Sequence, residues 1–376
     1  MFEKVVRELF RSAGVQINGT NPCDPQVWDN RFYERVLREG SLGLGESYMA
    51  GWWDCQRLDE LFYRLVSSGL YKLRLHPTFL WFWLRMVISN QAGRRGAFQL
   101  GKSHYDLGNS LFERMLDRRL VYTCGYWPEG VVDLDSAQEA KLNLVCQKLA
   151  LRPGQRVLDI GCGFGSFLKF AAENYGIEGV GVTVSLQQQE LAQKLCQRLP
   201  IQILLQDYRD LAVSTPAPFD RIVSLGMFEH VEPQNYRQFM KIAHNLLKED
   251  GLFLLHTIGK NSCWRGVDPW IRKYIFPVGI IPCSRWIGRS AGGLFEILDW
   301  HAFGGAHYQK TLLAWHENFS RYWPKLRDEY AYRVGGKFER MWRYFLLSCA
   351  GMFAAGRMDV WQIVLAKGRR DYRPIR

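Results

Sequence analysis

Val157-Leu-Asp-Ile-Gly-Cys-Gly-Phe-Gly165 joins an apolar run to Asp159 and to three glycines at alternate positions, Gly161, Gly163 and Gly165. The run reads as a β-strand ending in a tight turn, because glycine tolerates the sharp bend and lets a ligand lie against the backbone. Ser166-Phe-Leu-Lys-Phe-Ala-Ala-Glu173 then carries apolar residues at helical spacing, so strand, glycine turn and helix follow in order. A nicotinamide fingerprint asks for G-x-G-x-x-G and an acidic residue about 20 positions later. Here the third glycine comes one place early, and the next strand, Gly179-Val-Gly-Val-Thr-Val-Ser185, ends in hydroxyls. Asp159 ahead of the glycines suits a ligand that carries a positive charge and an amine. S-adenosylmethionine fits that description better than a dinucleotide, while a tight β–α turn that binds nothing is the plain alternative.

Working outward, short apolar strands at 156–160, 179–184, 201–205, 219–225 and 252–256 alternate with amphipathic helices that begin at Leu186 and Gln234. That alternation predicts an α/β fold, a parallel sheet with both faces covered. Ligands of such sheets bind outside the carboxyl ends of the strands, and Asp159, Thr183, Asp207, Glu229 and His256 all fall at or just past such ends. Phe228-Glu-His-Val231 follows the fourth strand and Leu255-His-Thr-Ile258 closes the fifth, so a carboxylate and an imidazole converge on the rim that holds the glycine turn. His230 reads equally as a helix cap.

The chain has 376 residues, which predicts two domains, and a net charge of +12 with a pI near 9.3. The charge implies attraction to something anionic: nucleic acid, an anionic membrane surface or an acidic substrate. Fourteen tryptophans, many in the first and last hundred residues, favour a lipid interface, where indole rings with one wet edge are stable. The nine cysteines stand singly and form no C-x-x-C pair, which argues for a reducing cytosol and against zinc or a disulfide framework. Met1-Phe-Glu-Lys-Val-Val-Arg-Glu-Leu-Phe10 alternates charge with apolar residues and reads as a helix of the mature protein, not a secretory signal.

Residues 1–90 show only helical patterns broken by Gly and Pro and predict a small helical domain. Phe32–Gly40 reads as a helix closed by glycine, and Ser41–Asp54 as a close-packed turn of glycines among aromatics. Thr78–Ile88 is apolar on nearly every face but shorter than the roughly 20 residues a bilayer span needs, and reads as a buried or domain-contact helix. Residues 91–100, polar, basic and glycine-bearing, form the linker, and 101–376 the second domain, with 101–150 a helical lead-in. After 260 the chain reads as an irregular insertion to about 300, then aromatic helices.

Gly40-Ser-Leu-Gly-Leu-Gly-Glu-Ser-Tyr-Met49, His104-Tyr-Asp-Leu-Gly-Asn109, Tyr122-Thr-Cys-Gly-Tyr-Trp127, Leu158-Asp-Ile-Gly-Cys-Gly163, Leu205-Gln-Asp-Tyr-Arg-Asp210, Gly226-Met-Phe-Glu-His-Val231, Leu255-His-Thr-Ile-Gly259 and Cys349-Ala-Gly351 together resemble the cyclopropane-fatty-acyl-phospholipid synthase family. The resemblance covers essentially the whole chain, including an N-terminal domain that the shorter mycolic-acid synthases lack, and so points to the bacterial phospholipid type. It implies a Rossmann-like S-adenosylmethionine-dependent methyltransferase fold preceded by a small helical domain. It also implies methylene transfer onto a cis double bond of an acyl chain in a membrane phospholipid. The alkene attacks the sulfonium methyl and leaves a carbocation; loss of a proton from the new methyl closes the ring. Such chemistry needs an apolar channel, groups that shelter positive charge, and a base beside the new methyl.

In the family that base is a bound bicarbonate, and the positions that hold it carry over to Cys124, Glu229, His256, Ile258 and Tyr308. Backbone groups of Cys124 and Ile258, the His256 ring and the tyrosine hydroxyl would meet the ion, and Glu229 would accept its proton. Cys349 matches the family's active-site cysteine, although the reaction needs no covalent enzyme intermediate. Tyr122, Thr123, Gly161, Gly163, Gly165, Thr183 through Gln188 (with Ser185), Asp207 and Tyr208 occupy cofactor positions; Asp207 would accept the adenine amine, and Thr183, Ser185 and Gln188 would replace the usual ribose-binding acid. Three departures stand out: Phe164 for a tryptophan, Glu232 for a small residue, and one extra residue in Phe303–Tyr308. The family further suggests a homodimer on the inner face of the cytoplasmic membrane, with no metal. Methyl branching without ring closure and a non-catalytic lipid-binding homologue are the alternatives. Nucleic-acid methylation lacks an Asn-Pro-Pro-Tyr-type motif.

Overall fold

The computed structural model describes residues 2–69, 108–211, 218–263 and 266–376. Thr78–Ile88, the linker at 91–100 and most of His104–Asn109 lie outside the described residues. Packing divides the chain into two units: Met1–Asn90, Gly266–Pro277 and Tyr308–Arg357 form the first, and Gln91–Arg265, Val278–His307 and Met358–Arg376 the second.

In the first unit, helices Phe2–Ser12, Arg31–Glu39, Ser41–Met49, Leu58–Ser67, Pro269–Tyr274, Phe338–Ala354 and most of Gly305–Tyr330 accompany one antiparallel strand pair, β1 (Gln26–Val27) and β2 (Trp53–Asp54). Ser41–Met49 is a helix where the sequence predicted a turn. Its glycines answer to packing: a side chain at Gly45 would run into the indole of Trp270, and one at Gly43 into the carbonyl of Arg35. Trp53, Trp270, Trp315 and Trp342 are fully buried, with Tyr48, Phe32 and Tyr330, so these rings build a core; among the described tryptophans Trp28 is the exposed one, at 67%.

The second unit holds a seven-stranded sheet in the order β5-β4-β3-β6-β7-β9-β8. Its strands are β3 (Arg156–Ile160), β4 (Glu178–Thr183), β5 (Ile201–Leu205), β6 (Phe219–Leu225), β7 (Leu247–Gly259), β8 (Glu296–Ala302) and β9 (Asp359–Ala366). β3 to β7 run parallel, and β9 pairs antiparallel with both β7 and β8. The last two strands correct the reading of 261 onward as helical and irregular. β9 is an apolar run, Val360-Trp-Gln-Ile-Val-Leu-Ala366, buried between neighbours, and this pattern alone does not separate strand from buried helix.

Alternation along each strand makes two cores. Leu158, Ile160, Phe253, Leu255 and Ile363 pack under helices Tyr236–Leu246 and Ser284–Ala291; Val157, Val223, Leu252, Leu254 and Val364 pack under Leu134–Lys148 and Ser166–Tyr175. Two residues beyond Val157, Asp159 faces the second of these layers, and so does His256, two beyond Leu254. Strand order reverses between β3 and β6, the crevice where open α/β sheets bind ligands.

Cys263 and Cys283 are joined by a disulfide, so the expectation of wholly unpaired cysteines fails for this pair; the other seven are free. A bridge between Lys260 and Cys283 brings the two segments together, which a spacing of 20 residues does not reveal.

Candidate active site

The turn after β3 shows why its glycines are glycines. Gly161 has φ +87°, and a Cβ there would lie 2.6 Å from Met227 Cγ. The third glycine serves packing: a Cβ on Gly165 would sit 3.2 Å from Cys196 Sγ and 3.3 Å from Ala192, and Gly165 does not line the cleft.

The cleft, about 1230 Å³ counted out to solvent, lies at the carboxyl ends of β3 to β6. Among the predicted cofactor residues, Tyr122, Thr123, Asp159, Gly161, Gly163, Thr183, Gln188, Asp207 and Tyr208 line it, and Ser185 does not. Ser185 caps helix Leu186–Cys196 instead, its Oγ accepting from the Gln188 amide. Thr183 Oγ1 donates to Gln188 Oε1 at 2.9 Å, which leaves the side-chain nitrogen of Gln188 as a donor close to Gly163. Asp207 is less open than the sequence implies: Arg209 grips its carboxylate through Nε at 2.8 Å and Nη2 at 2.6 Å. A second lone pair on each oxygen still accepts.

Asp159 is 2% exposed, and its Oδ1 has no hydrogen-bond partner among the described residues. Burial pushes its pKa up to about 7, against the pull of the Lys141 ammonium. Lys141 is fully buried in Leu134–Lys148, donates to Thr123 Oγ1 at 2.7 Å, and is brought down to about 8 by desolvation. One turn earlier, Gln138 Nε2 donates to the Thr123 carbonyl at 2.8 Å. The sequence reading missed both. Their signal was polar side chains inside the apolar stripe of Leu134, Ala137, Leu142 and Val145.

The predicted catalytic residues divide between the units. Cys124, Glu229, His256 and Ile258 belong to the second, and Tyr308 and Cys349 to the first. Glu229 lies in a single 3₁₀ turn, Phe228–His230, just past β6. Its Oε1 accepts from the Ile258 amide at 2.6 Å, so that N–H is engaged by the glutamate and not held ready for an ion, as the sequence reading supposed. The other oxygen, Oε2, is buried without a partner among the described residues, and desolvation raises the carboxyl to about 7. It is therefore a proton donor or acceptor near neutrality.

His256 is 2% exposed, and burial together with Lys141 and Lys148 keeps it neutral, its pKa well below the usual value. Its carbonyl accepts from the Gly226 amide at 2.9 Å, which ties the ends of β6 and β7 together. His230 lines the cleft, is brought down to about 4 by burial, and lies 3.4 Å from the Val278 carbonyl through Nδ1; it does not cap a helix of any length. In the first unit the Tyr308 ring packs on Phe353 and Trp315, Cys349 is half-buried, and desolvation raises its thiol to about 12.

Residues 93–363 match the family model described as mycolic acid cyclopropane synthetase. Cyclopropane-fatty-acyl-phospholipid synthase of Escherichia coli (strain K12) is 48% identical over 371 residues, 97% of this chain and 93% of that protein. Among solved structures, the cyclopropane synthase MmaA2 from Mycobacterium tuberculosis superimposes with a TM-score of 0.65 at 30% identity, covering 72% of this chain and 98% of that one. Mycolic acid cyclopropane synthase CmaA1 complexed with SAH and CTAB gives 0.64 at 32%, covering 71% and 97%.

Proposed function

The chain belongs to the cyclopropane synthase family of S-adenosylmethionine-dependent methyltransferases, and from that premise we propose that it adds a methylene group across the cis double bond of unsaturated acyl chains in membrane phospholipids. The observation that carries the reading is a pair of buried carboxyl oxygens without partners among the described residues, Asp159 Oδ1 in β3 and Glu229 Oε2 just past β6. Polar groups so buried are ordinarily satisfied, and their exceptions mark sites.

The residues fit the two groups the family implies. S-adenosylmethionine, when bound, supplies a methyl group on a sulfonium centre. Asp159 would meet its positive charge and amine, Gly161 and Gly163 would let it lie against the backbone, Thr123 and Gln188 would donate to it, and Tyr122 and Tyr208 would flank it; all of these residues line the cleft. Bicarbonate, when bound, supplies a base. Cys124, Glu229 and His256 would hold it: Glu229, with a pKa near 7, stores or gives a proton at Oε2, and His256 contributes a neutral ring. By resemblance, Ile258 and Tyr308 are further bicarbonate positions and Cys349 is an active-site cysteine. On the acyl chain, bond formation at one alkene carbon leaves positive charge on the other, and proton loss from the new methyl closes the ring; water must be kept away meanwhile.

No helix among the described residues is long and apolar enough to cross a membrane. The net charge of +12 and the proposed phospholipid substrate support a peripheral enzyme on the inner face of the cytoplasmic membrane, and the family pattern supports a homodimer. The Glu229→Gln and His256→Ala variants test the assignment. Each is expected to lose about 10²- to 10⁴-fold in turnover while binding S-adenosylhomocysteine, measured by calorimetry, as the wild type does. Wild-type rates in bicarbonate buffer would refute it.

A further inference from the structure

Three adjacent strands carry a polar residue at one level of the sheet: His256 of β7 and His301 of β8 are both register partners of Gln362 in β9. His256 and Gln362 alternate with Leu254 and Val364, so they face the layer covered by Leu134–Lys148. Gln362 is fully buried and His256 nearly so. Gln362 Nε2 lies 3.4 Å from His256 Nδ1, and at the far end of the row Lys148 Nζ lies 2.9 Å from His301 Nδ1 and 3.5 Å from Asp299 Oδ2.

A neutral imidazole has one donor and one acceptor, and the partner of one nitrogen decides the character of the other. Gln362 can meet Nδ1 with its N–H or with its oxygen. With the N–H, the buried oxygen Gln362 Oε1 and the second amide N–H stay unpaired among the described residues. With the amide reversed, the unpaired groups would be both N–H donors, and unpaired N–H groups are rarer in proteins than under-satisfied carbonyl oxygens. The observed orientation is the cheaper one. Lys148 treats His301 alike, donating to its Nδ1.

We propose that Gln362 is a positioning residue: its amide N–H donates to Nδ1 of His256, places the imidazole proton on Nε2, and makes the histidine a hydrogen-bond donor to an anion at the ends of β6 and β7. The tautomer stands on the contact between Gln362 and His256 and on the orientation of the buried amide; the anion rests on the function proposed above. With Nδ1 occupied and Nε2 protonated, His256 has no lone pair to take the proton lost in ring closure. The base is then some other group, and the histidine orients it.

The test is ¹⁵N spectroscopy of the full-length protein labelled in its eight histidines, with the His256 signals identified by their absence from His256→Ala. The expected spectrum shows Nδ1 unprotonated and Nε2 protonated; the reverse overturns the proposal. Gln362→Glu, measured above about pH 8 where a buried carboxyl ionises, offers an acceptor in place of a donor and is expected to reverse the tautomer. It should also lower kcat by about 10- to 100-fold, the usual effect of partners that orient a functional histidine, with KM for S-adenosylmethionine nearly unchanged. A folded Gln362→Glu protein with the original tautomer and the original kcat also overturns it. Where that variant fails to fold, the wild-type spectrum decides. A wild type with the expected tautomer that leaves vesicle lipids unaltered rejects the reaction and keeps the tautomer.

Discussion

Glu229 contributes to the pH behaviour of the site beside Asp159 and Lys141, and the sign of its contribution follows from its burial. Its folded pKa of about 7 lies above the ordinary 4.5, with desolvation the main cause. Below the ordinary value both folded and unfolded chains hold the proton and the group costs nothing. As pH rises through the folded value, the buried carboxylate must ionise and that stability is lost. Glu229→Gln mimics the protonated form, so it is expected to match the wild type near pH 4 and to exceed it above about pH 8, by up to roughly 3 kcal/mol. Urea melts at the two pH values check this, and an equal difference at both would contradict it. Glu229 and His256 were legible as residues because they follow apolar strands closely. Lys141, Gln138, Lys148 and Gln362 were not. A lysine in an amphipathic helix usually snorkels to water, and only the fold shows that Lys141 and Lys148 stay in.

Elements place these residues, and the turn after β3 is the most exacting of them. Gly161 and Gly163 both have positive φ, but a Cβ on Gly163 meets only Gln188 Nε2, at 4.0 Å, whereas one on Gly161 meets Met227 at 2.6 Å. Gly163→Ala is therefore expected to cost about 1 kcal/mol of backbone strain. Gly161→Ala adds overpacking, for about 3 kcal/mol in all, together with loss of S-adenosylhomocysteine binding. Equal costs in urea melts would show that Met227 yields freely. The parallel strands were legible because each is a short apolar run followed by a turn and a helix of opposite period. β8 and β9 were not, since Glu296-Ile-Leu-Asp-Trp-His-Ala302 mixes charge with apolar residues and β9 is apolar but for Asp359 and Gln362, with no strict alternation. Their consequence for the site is large: β9 supplies Gln362. The Ser41–Met49 helix was hidden by glycines that packing, not turning, requires.

At the scale of the molecule, the chain returns to its first unit twice, at 266–277 and 308–357, a pattern that linear composition does not disclose. The resemblance over the whole chain carried more of the function than any local pattern; within the second unit, strand order brings Asp159, Thr183 and Asp207, far apart in sequence, to one cleft. The net charge of +12 belongs to this scale too. Full-length protein is expected to float with anionic vesicles at low salt and to be released as salt rises, since each basic residue near such a surface is worth about 1 kcal/mol and is screened within a Debye length. Binding to neutral vesicles that salt does not weaken would contradict an electrostatic contribution. The central claim is the reaction itself. Purified protein, S-adenosylmethionine, bicarbonate and vesicles of cis-unsaturated phospholipid should yield fatty acids heavier by one CH₂ that resist hydrogenation. The same mass gain in acids that still take up hydrogen would mean methyl branching, and no gain would contradict the account.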